Sequence, residues 1–185
     1  MKKVFAIMVA SLALKTASAQ VFYTKAAQIS FFSHTVVEDI KADNLEAVSF
    51  LDATKGELRF QVLIKGFQFP KATMQQHFNG PQYLNSDVFP KAEFKGTIIN
   101  KKAVNYKKDG VYKVQVQGDL TLHGITKKVK QAGTITIKNG KPSALATFKI
   151  KRSDFKITPP AMAAAKIAEE IEVTVKSDYE LYKAS

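Results

Sequence analysis

Cysteine is absent from the 185 residues, and arginine is scarce, with only Arg59 and Arg152 among 28 basic residues. Without cysteine the chain has no disulfide and cannot be a lipoprotein acylated on a cysteine after its signal. Lysine is poorly suited to bidentate reading of base edges, and no long basic run is interleaved with aromatic residues. The composition therefore argues against nucleic acid as a partner.

The motifs of common catalytic sites are also missing. No Gly-x-Ser-x-Gly elbow and no His-Glu-x-x-His pair occurs. The three histidines, His34, His77 and His123, lie far apart in the sequence, so each is interpreted as a surface or capping residue. We expect no catalytic residues, no metal site and no cofactor, and the chain is interpreted as a non-enzyme.

The first nineteen residues have the pattern of a secretory signal peptide. Lys2 and Lys3 precede an apolar run, and Ala17-Ser18-Ala19 is a small-x-small cleavage pattern. The run is about half of the roughly 20 apolar residues that span a bilayer. We predict a signal peptide at 1–19, one domain at 20–185, and an exported protein, periplasmic if the host has two membranes.

The formal net charge of +12 would become +9 once Lys2, Lys3 and Lys15 leave with the signal. Such an excess favours anionic partners such as acidic headgroups or surface polysaccharide. The lysines are scattered in pairs at predicted loops, which is equally typical of a solvated surface.

Apolar and polar residues alternate most clearly on either side of His123-Gly124. This is the period of half-buried strands. The apolar positions are Tyr112, Val114, Val116, Leu120, Leu122, Ile125, Val129, Ile135 and Ile137. Because Gly124 accepts turn geometry without a Cβ penalty, the pattern predicts two antiparallel strands joined at this glycine.

Similar patterns predict further strands along the chain, at 20–33, 48–51, 58–64, 92–99, 144–150 and 171–181. Asn139-Gly140 is a strong hairpin signal. Residues 34–47 break the alternation and are predicted to be irregular or briefly helical. A short helix is predicted from Pro70 to Phe78, and residues 153–169 are predicted to form a loop with one helical turn.

About eight strands with short turns predict an all-β fold. A single antiparallel β-barrel with one or two short helices is favoured, because closing the sheet removes both of its edges.

Three glycines, Gly96, Gly118 and Gly133, fall on the inward parity of their strands. The lumen of an eight-stranded barrel is either filled by side chains or holds a small ligand. Missing side chains favour a cavity, whereas the alternative is that these glycines allow the sheet to coil. Both interpretations stay open.

The other residues predicted to line a ligand-binding lumen are Phe31, Phe60, Val62, Phe94, Ile98, Tyr112, Val114, Val116, Val129, Ile135 and Phe148. Met74, His77 and Phe78 of the predicted helix are placed at the barrel mouth. Walls of this kind offer almost no hydrogen bonds, so the predicted occupant is apolar and long.

Three blocks of the chain resemble the YceI-like family, in the same order and spacing. They are GDLTLHGITKKV at 118–129, MQQHFN at 74–79 and YLNSDVFPKAEF at 83–94. The resemblance implies an exported, lipocalin-like antiparallel barrel that holds a polyisoprenoid, isoprenoid quinone or other long amphiphile without catalysis. Many relatives carry glycine after a segment like Arg152-Ser153-Asp154-Phe155, where this chain has Lys156, so the loop at the mouth is expected to differ.

Three functions follow from the residue patterns together with this resemblance, which supplies the isoprenoid ligand class. The leading hypothesis is an exported carrier of a polyisoprenoid, isoprenoid quinone or fatty-acyl amphiphile, as monomer or homodimer, with transient membrane-surface contact. The alternative is a filled barrel that docks through lysine-rich loops on anionic glycans or membrane headgroups. The third, an enzyme acting on an isoprenoid with His123 or His77 as base, has the least support.

Overall fold

The computed structural model describes residues 20–182. The predicted signal peptide at 1–19 and the last three residues lie outside this range. The strands are Val21–His34 (β1), Asp39–Asp52 (β2), Glu57–Leu63 (β3), Lys91–Ile98 (β4), Gly110–Leu122 (β5), Ile125–Lys138 (β6), Lys141–Lys151 (β7), Glu170–Asp178 (β8) and Glu180–Leu181 (β9). The α-helices are Ala72–Asn79 (α1) and Ala161–Ala164 (α2). Within the described range, neither helix has the length and apolar character that crossing a membrane requires.

All nine strands belong to one antiparallel sheet, in the order β2-β3-β4-β5-β6-β7-β8-β1-β9. β1 also pairs with β2 along most of its length, so the first eight strands close into a barrel. β9 adds a short pairing beside the start of β1. The predicted fold class, an all-β antiparallel barrel of about eight strands with short helices, is confirmed.

Two tight hairpin turns lie where they were predicted. His123 and Gly124 have φ angles of 50° and 73°, and Asn139 and Gly140 have φ angles of 52° and 73°. Positive φ at both central residues matches the twist of the flanking strands. The helix predicted from Pro70 to Phe78 is also present, as α1.

The prediction of an irregular or helical segment at 34–47 is wrong, because β2 begins at Asp39 and pairs with β1. Its inward side chains are small or polar: Ala42, Asn44 and Ala47 are all fully buried. The register between β1 and β2 also shifts twice around Ala27, which breaks the regular alternation. The Asn44 amide nitrogen donates to the Leu63 carbonyl at 3.1 Å, so this buried polar side chain is satisfied.

One end of the barrel, the closed end, is filled by a cluster of buried side chains. The members are Phe22, Leu51, Leu58, Ile98, Val104, Val114, Ile135, Ile137 and Tyr179. The connection between β4 and β5 contributes Val104, and Tyr106 from the same connection stacks on Phe22 at 6.1 Å. The closed end is therefore packed by wall residues and by a loop.

A buried hydrogen bond joins β2 to the end of β8 in this cluster. The Ser49 and Tyr179 hydroxyl oxygens are 2.7 Å apart, and both residues are buried. Burial raises the pKa of Tyr179 from 10.0 to about 12. Because the folded pKa lies above the unfolded one, the stability that depends on neutral Tyr179 is complete below pH 10 and is lost as the pH rises through about 12.

Tyr179→Phe should lower the free energy of unfolding at neutral pH by about 1 to 3 kcal/mol, because it leaves the Ser49 hydroxyl buried without this partner. The difference in unfolding free energy between wild type and this variant should shrink between pH 10 and 12, because only the wild type has a Tyr179 hydroxyl that ionises on unfolding. Urea titrations across this range measure both effects. Tyr182→Phe, at an exposed tyrosine, is the matched control, and a difference that stays constant over the range would contradict the assignment.

Candidate functional site

A cavity of about 850 Å³ occupies the barrel beyond the closed end. Its lining includes most of the residues that the sequence places in the lumen: Phe31, Phe60, Val62, Phe94, Val114, Val116, Val129, Gly133, Ile135 and Phe148. Met74, His77 and Phe78 of α1 line it at the other end, the mouth. The volume lies within the roughly 300 to 1,000 Å³ of typical small-molecule sites.

Four predicted lumen residues, Gly96, Gly118, Ile98 and Tyr112, do not line the cavity. Ile98 belongs to the closed-end cluster and Tyr112 packs against it. Gly96 and Gly118 face each other across β4 and β5. A Cβ atom on Gly118 would collide with the backbone of β4, and one on Gly96 would collide with the ring of Phe94 and the backbone of β5.

The prediction that Gly96 and Gly118 border empty space in the lumen is therefore wrong. These glycines allow two backbones and a phenyl ring to approach closely, and they leave no void. The room in the barrel comes from short side chains elsewhere in its wall, at Ala92, Gly133, Ala144 and Ala146. Gly133 is the one predicted glycine that borders the cavity.

Phenylalanine rings crowd the cavity near the mouth. Phe31 stacks on Phe78 at 5.4 Å, and Phe69 lies 5.0 Å from Phe78. Phe67 and Phe69 were missed in the sequence, although their spacing of two residues is a signal for a shared face. A bridge between Asp43 and Gln68 holds this segment against β2, which turns both rings to one side.

Most charged side chains among the lining residues lie on the segments that cross the mouth, whereas Gln131 lies on the wall strand β6. The charged and polar residues at the mouth include Glu38, Lys71, His77, Arg152 and Lys166. The Lys71 ammonium lies 3.9 Å from the Glu38 carboxylate. The Arg152 guanidinium donates to the Ile157 carbonyl at 3.1 Å and lies 3.3 Å from the Glu169 carboxylate. The cavity thus combines a mainly apolar interior with charged side chains at the mouth.

The histidines do not converge on the cavity. His34 is exposed and lies 2.6 Å from the Asp39 carboxylate, and His77 stacks on Tyr83 at 6.2 Å. His123 Nδ1 lies 3.0 Å from the Phe155 carbonyl oxygen, which can only accept, so Nδ1 carries the hydrogen. Among residues 20–182, no group of three or more His, Asp or Glu side chains is placed to hold a metal ion.

The loop that carries Lys156 closes against the rim. A 3-10 helix at Arg152–Phe155 ends at Lys156, which adopts the left-handed conformation with φ 52° and ψ 32°. The buried side chains of Phe155 and Ile157 pack with Ile64 and Leu84, which fixes the loop. A lysine in this conformation is strained, because its Cβ approaches the carbonyl oxygen that follows.

Comparison with known proteins gives a family and a fold. The family model described as the YceI-like domain matches residues 14–179. No curated protein matches the chain in sequence.

Several solved structures share the fold. A polyisoprenoid-binding domain from Saccharophagus degradans, implicated in plant cell wall breakdown, has a TM-score of 0.75 at 11% identity and covers 89% of this chain and 99% of its own. BcnA from Burkholderia cenocepacia has a TM-score of 0.68 at 17% identity, with coverage of 83% and 96%. The YceI protein of Campylobacter jejuni has a TM-score of 0.56 at 20% identity, with coverage of 75% and 81%. At these identities the likeness shows the fold alone.

Lys156→Gly should raise the free energy of unfolding by about 1 kcal/mol, because glycine adopts the left-handed conformation without the Cβ penalty. Lys156→Ala is the matched control: it removes the same charge and keeps the Cβ atom, so it should leave stability nearly unchanged. Chemical denaturation of wild type and the two variants measures these differences in unfolding free energy. Equal stabilisation by both would show that charge, and not backbone strain, sets the effect.

Proposed function

The chain belongs to the YceI-like family, and from this premise we propose that it is a carrier that holds one long apolar chain in the barrel lumen. The ligand class is a polyisoprenoid, an isoprenoid quinone or a fatty-acyl amphiphile. The apolar tail lies in the cavity, and any polar headgroup lies among the charged side chains of the mouth. The protein acts by binding, without chemical conversion of the ligand.

One observation carries the proposal: the cavity of about 850 Å³ has walls mainly of aromatic and aliphatic side chains, with a cluster of charged side chains at the mouth. Burial of apolar surface contributes about 0.8 kcal/mol for each methylene group, so a long chain gains more than a compact ligand. The closed-end cluster prevents the cavity from being a water-filled channel through the barrel.

The family comparison supports the same class of ligand. The Saccharophagus degradans domain, which shares the fold over 89% of this chain, is described as polyisoprenoid-binding. The alternative of a filled barrel acting only through its surface is less favoured, because side chains fill only one end of the lumen.

We further propose that the carrier is exported and works outside the cytoplasm. The support is the pattern of residues 1–19, where two lysines precede an apolar run and an Ala-Ser-Ala site. A carrier with a net positive charge would also make transient contact with anionic headgroups when it exchanges its ligand.

Mass spectrometry of a solvent extract from the purified protein tests the proposed function directly. The expected result is a stoichiometric lipid with a long apolar chain. An extract without such a lipid, together with no uptake of geranylgeraniol by the delipidated protein, would contradict the proposal.

Val173→Phe should lower the affinity for geranylgeraniol at least tenfold. Val173 lines the cavity between Phe31 and Phe148, and the added ring takes the space of at least two methylene groups, which is about 1.6 kcal/mol of burial. Val111→Phe is the matched control, because Val111 is 69% exposed on the barrel surface. Equal affinity of both variants would place the ligand outside the lumen.

A further inference from the structure

One polar side chain, Gln131, faces the lumen from the wall strand β6. Val129 and Gly133, two positions before and after it, line the cavity, and so does Val116, its register partner on β5. Because residues two apart on a strand share a face, Gln131 faces inward with them. Gln131 itself lines the cavity and is half-buried, whereas the residues on either side of it in the chain are exposed.

Gln131 lies near the floor of the cavity, where the closed-end cluster begins. Register pairs join Gln131 to Val116 and Val116 to Ile98. Ile98 belongs to the closed-end cluster, and Val116 packs against it. At the other end of β6, Ile125 packs with the small core at the mouth. The six steps from Ile125 to Gln131 cover about 20 Å of strand, and a strand tilt of about 40° reduces this to a depth of about 15 Å.

The Gln131 amide differs from the other polar groups near it in its hydrogen bonding. Ser33, an inward residue of β1 at the mouth, accepts a hydrogen bond from the Ala168 N–H at 2.9 Å. On β6, Lys128 and Thr134 form side-chain hydrogen bonds from the outward parity. Among residues 20–182, no group donates to the Gln131 amide or accepts from it. A wholly apolar chain packed beside this amide would leave it without a partner, which weakens binding by about tenfold.

The chemistry at this depth favours an uncharged oxygen as the partner of the amide. A glutamine side chain both donates and accepts, so it pairs with a hydroxyl or a carbonyl group. Lys71, Arg152 and Lys166, the basic residues that line the cavity, lie at the mouth. An ionised group at the floor would therefore lose its hydration without gaining an opposite charge.

We propose that the Gln131 amide hydrogen-bonds an uncharged oxygen, in a hydroxyl or carbonyl group, at the inner end of the bound chain. This inference rests on the proposed function and narrows its ligand to an amphiphile that is polar at both ends. The headgroup lies at the mouth, the apolar chain fills the lumen, and the oxygen at the far end meets Gln131 near the floor. A fatty-acyl or isoprenoid chain that is oxidised at the end away from its headgroup has this chemistry.

Binding of hexadecanoic acid and 16-hydroxyhexadecanoic acid to the delipidated protein tests the inference. At about 1.2 Å per bond in an extended chain, sixteen carbons span about 18 Å, which is long enough to reach Gln131 from the mouth. Wild type should bind the hydroxy acid at least as tightly as the parent acid. Gln131→Leu, with a side chain of similar size, should lower the affinity for the hydroxy acid relative to the parent acid at least tenfold.

Gln117→Leu is the matched control, because Gln117 is exposed on the outer face of β5. It should leave the ratio of the two affinities unchanged. The same ratio in Gln131→Leu as in wild type would overturn the inference. Binding of geranylgeraniol or hexadecanoic acid without binding of the hydroxy acid would also overturn it and leave the proposed function standing. No binding of any of the three would contradict the proposed function and the inference with it.

The NMR signals of the Gln131 side-chain amide give a second readout. They are identified as the side-chain amide signals that disappear from the spectrum of Gln131→Leu. The hydroxy acid should move them away from their position in the hexadecanoic acid complex, because the added hydrogen bond changes the shielding of the amide protons. Identical positions in the two complexes would show that the far end of the chain does not meet Gln131.

Discussion

The number of strands sets the diameter of an eight-stranded barrel, and the inward side chains must fit within that diameter. The bulk of the inward residues therefore decides whether the interior is solid or hollow. At the closed end, Leu51, Ile135 and Tyr179 fill the available space. Further along the axis, Ala92, Ala144 and Ala146 are too short to meet across the lumen, and a cavity remains. One closed sheet thus contains a packed core at one end and a cavity further along its axis.

The same constraint explains why the mouth is built from connections and not from strands. The strands end at a rim that must be covered without filling the space below it. Phe155 and Ile157 pack with Ile64 and Leu84 to form a small separate core around that rim. Phe67 and Phe78 then close over Phe31 from the side. The edge of this covering is packed by buried apolar side chains, and charged side chains such as Glu38 and Arg152 border the cavity there.

The barrel could be predicted from sequence because apolar and polar residues alternate strictly in most strands. Most turns also contain residues that are typical of turns, as at Asn139-Gly140. Strand β2 could not be predicted, because its inward residues Ala42, Asn44 and Ala47 give it the composition of a loop. The register shifts between β1 and β2 also disrupt the two-residue alternation of apolar and polar residues. Most of the residues of inward parity line the cavity in the structure. The prediction failed at Gly96 and Gly118, because alternation shows which way a residue points and not how closely the next backbone approaches.

The pairing of β1 with β8 has a consequence for the order of folding. Gln28 meets Lys176, so closure joins the beginning of the domain to its end. Contacts between residues so far apart in sequence form slowly, because closing a long loop costs entropy. During synthesis they also have to wait until the last strand has been made. The apolar inner face of the earlier strands stays uncovered until β8 emerges, and in that interval the chain is most exposed to aggregation.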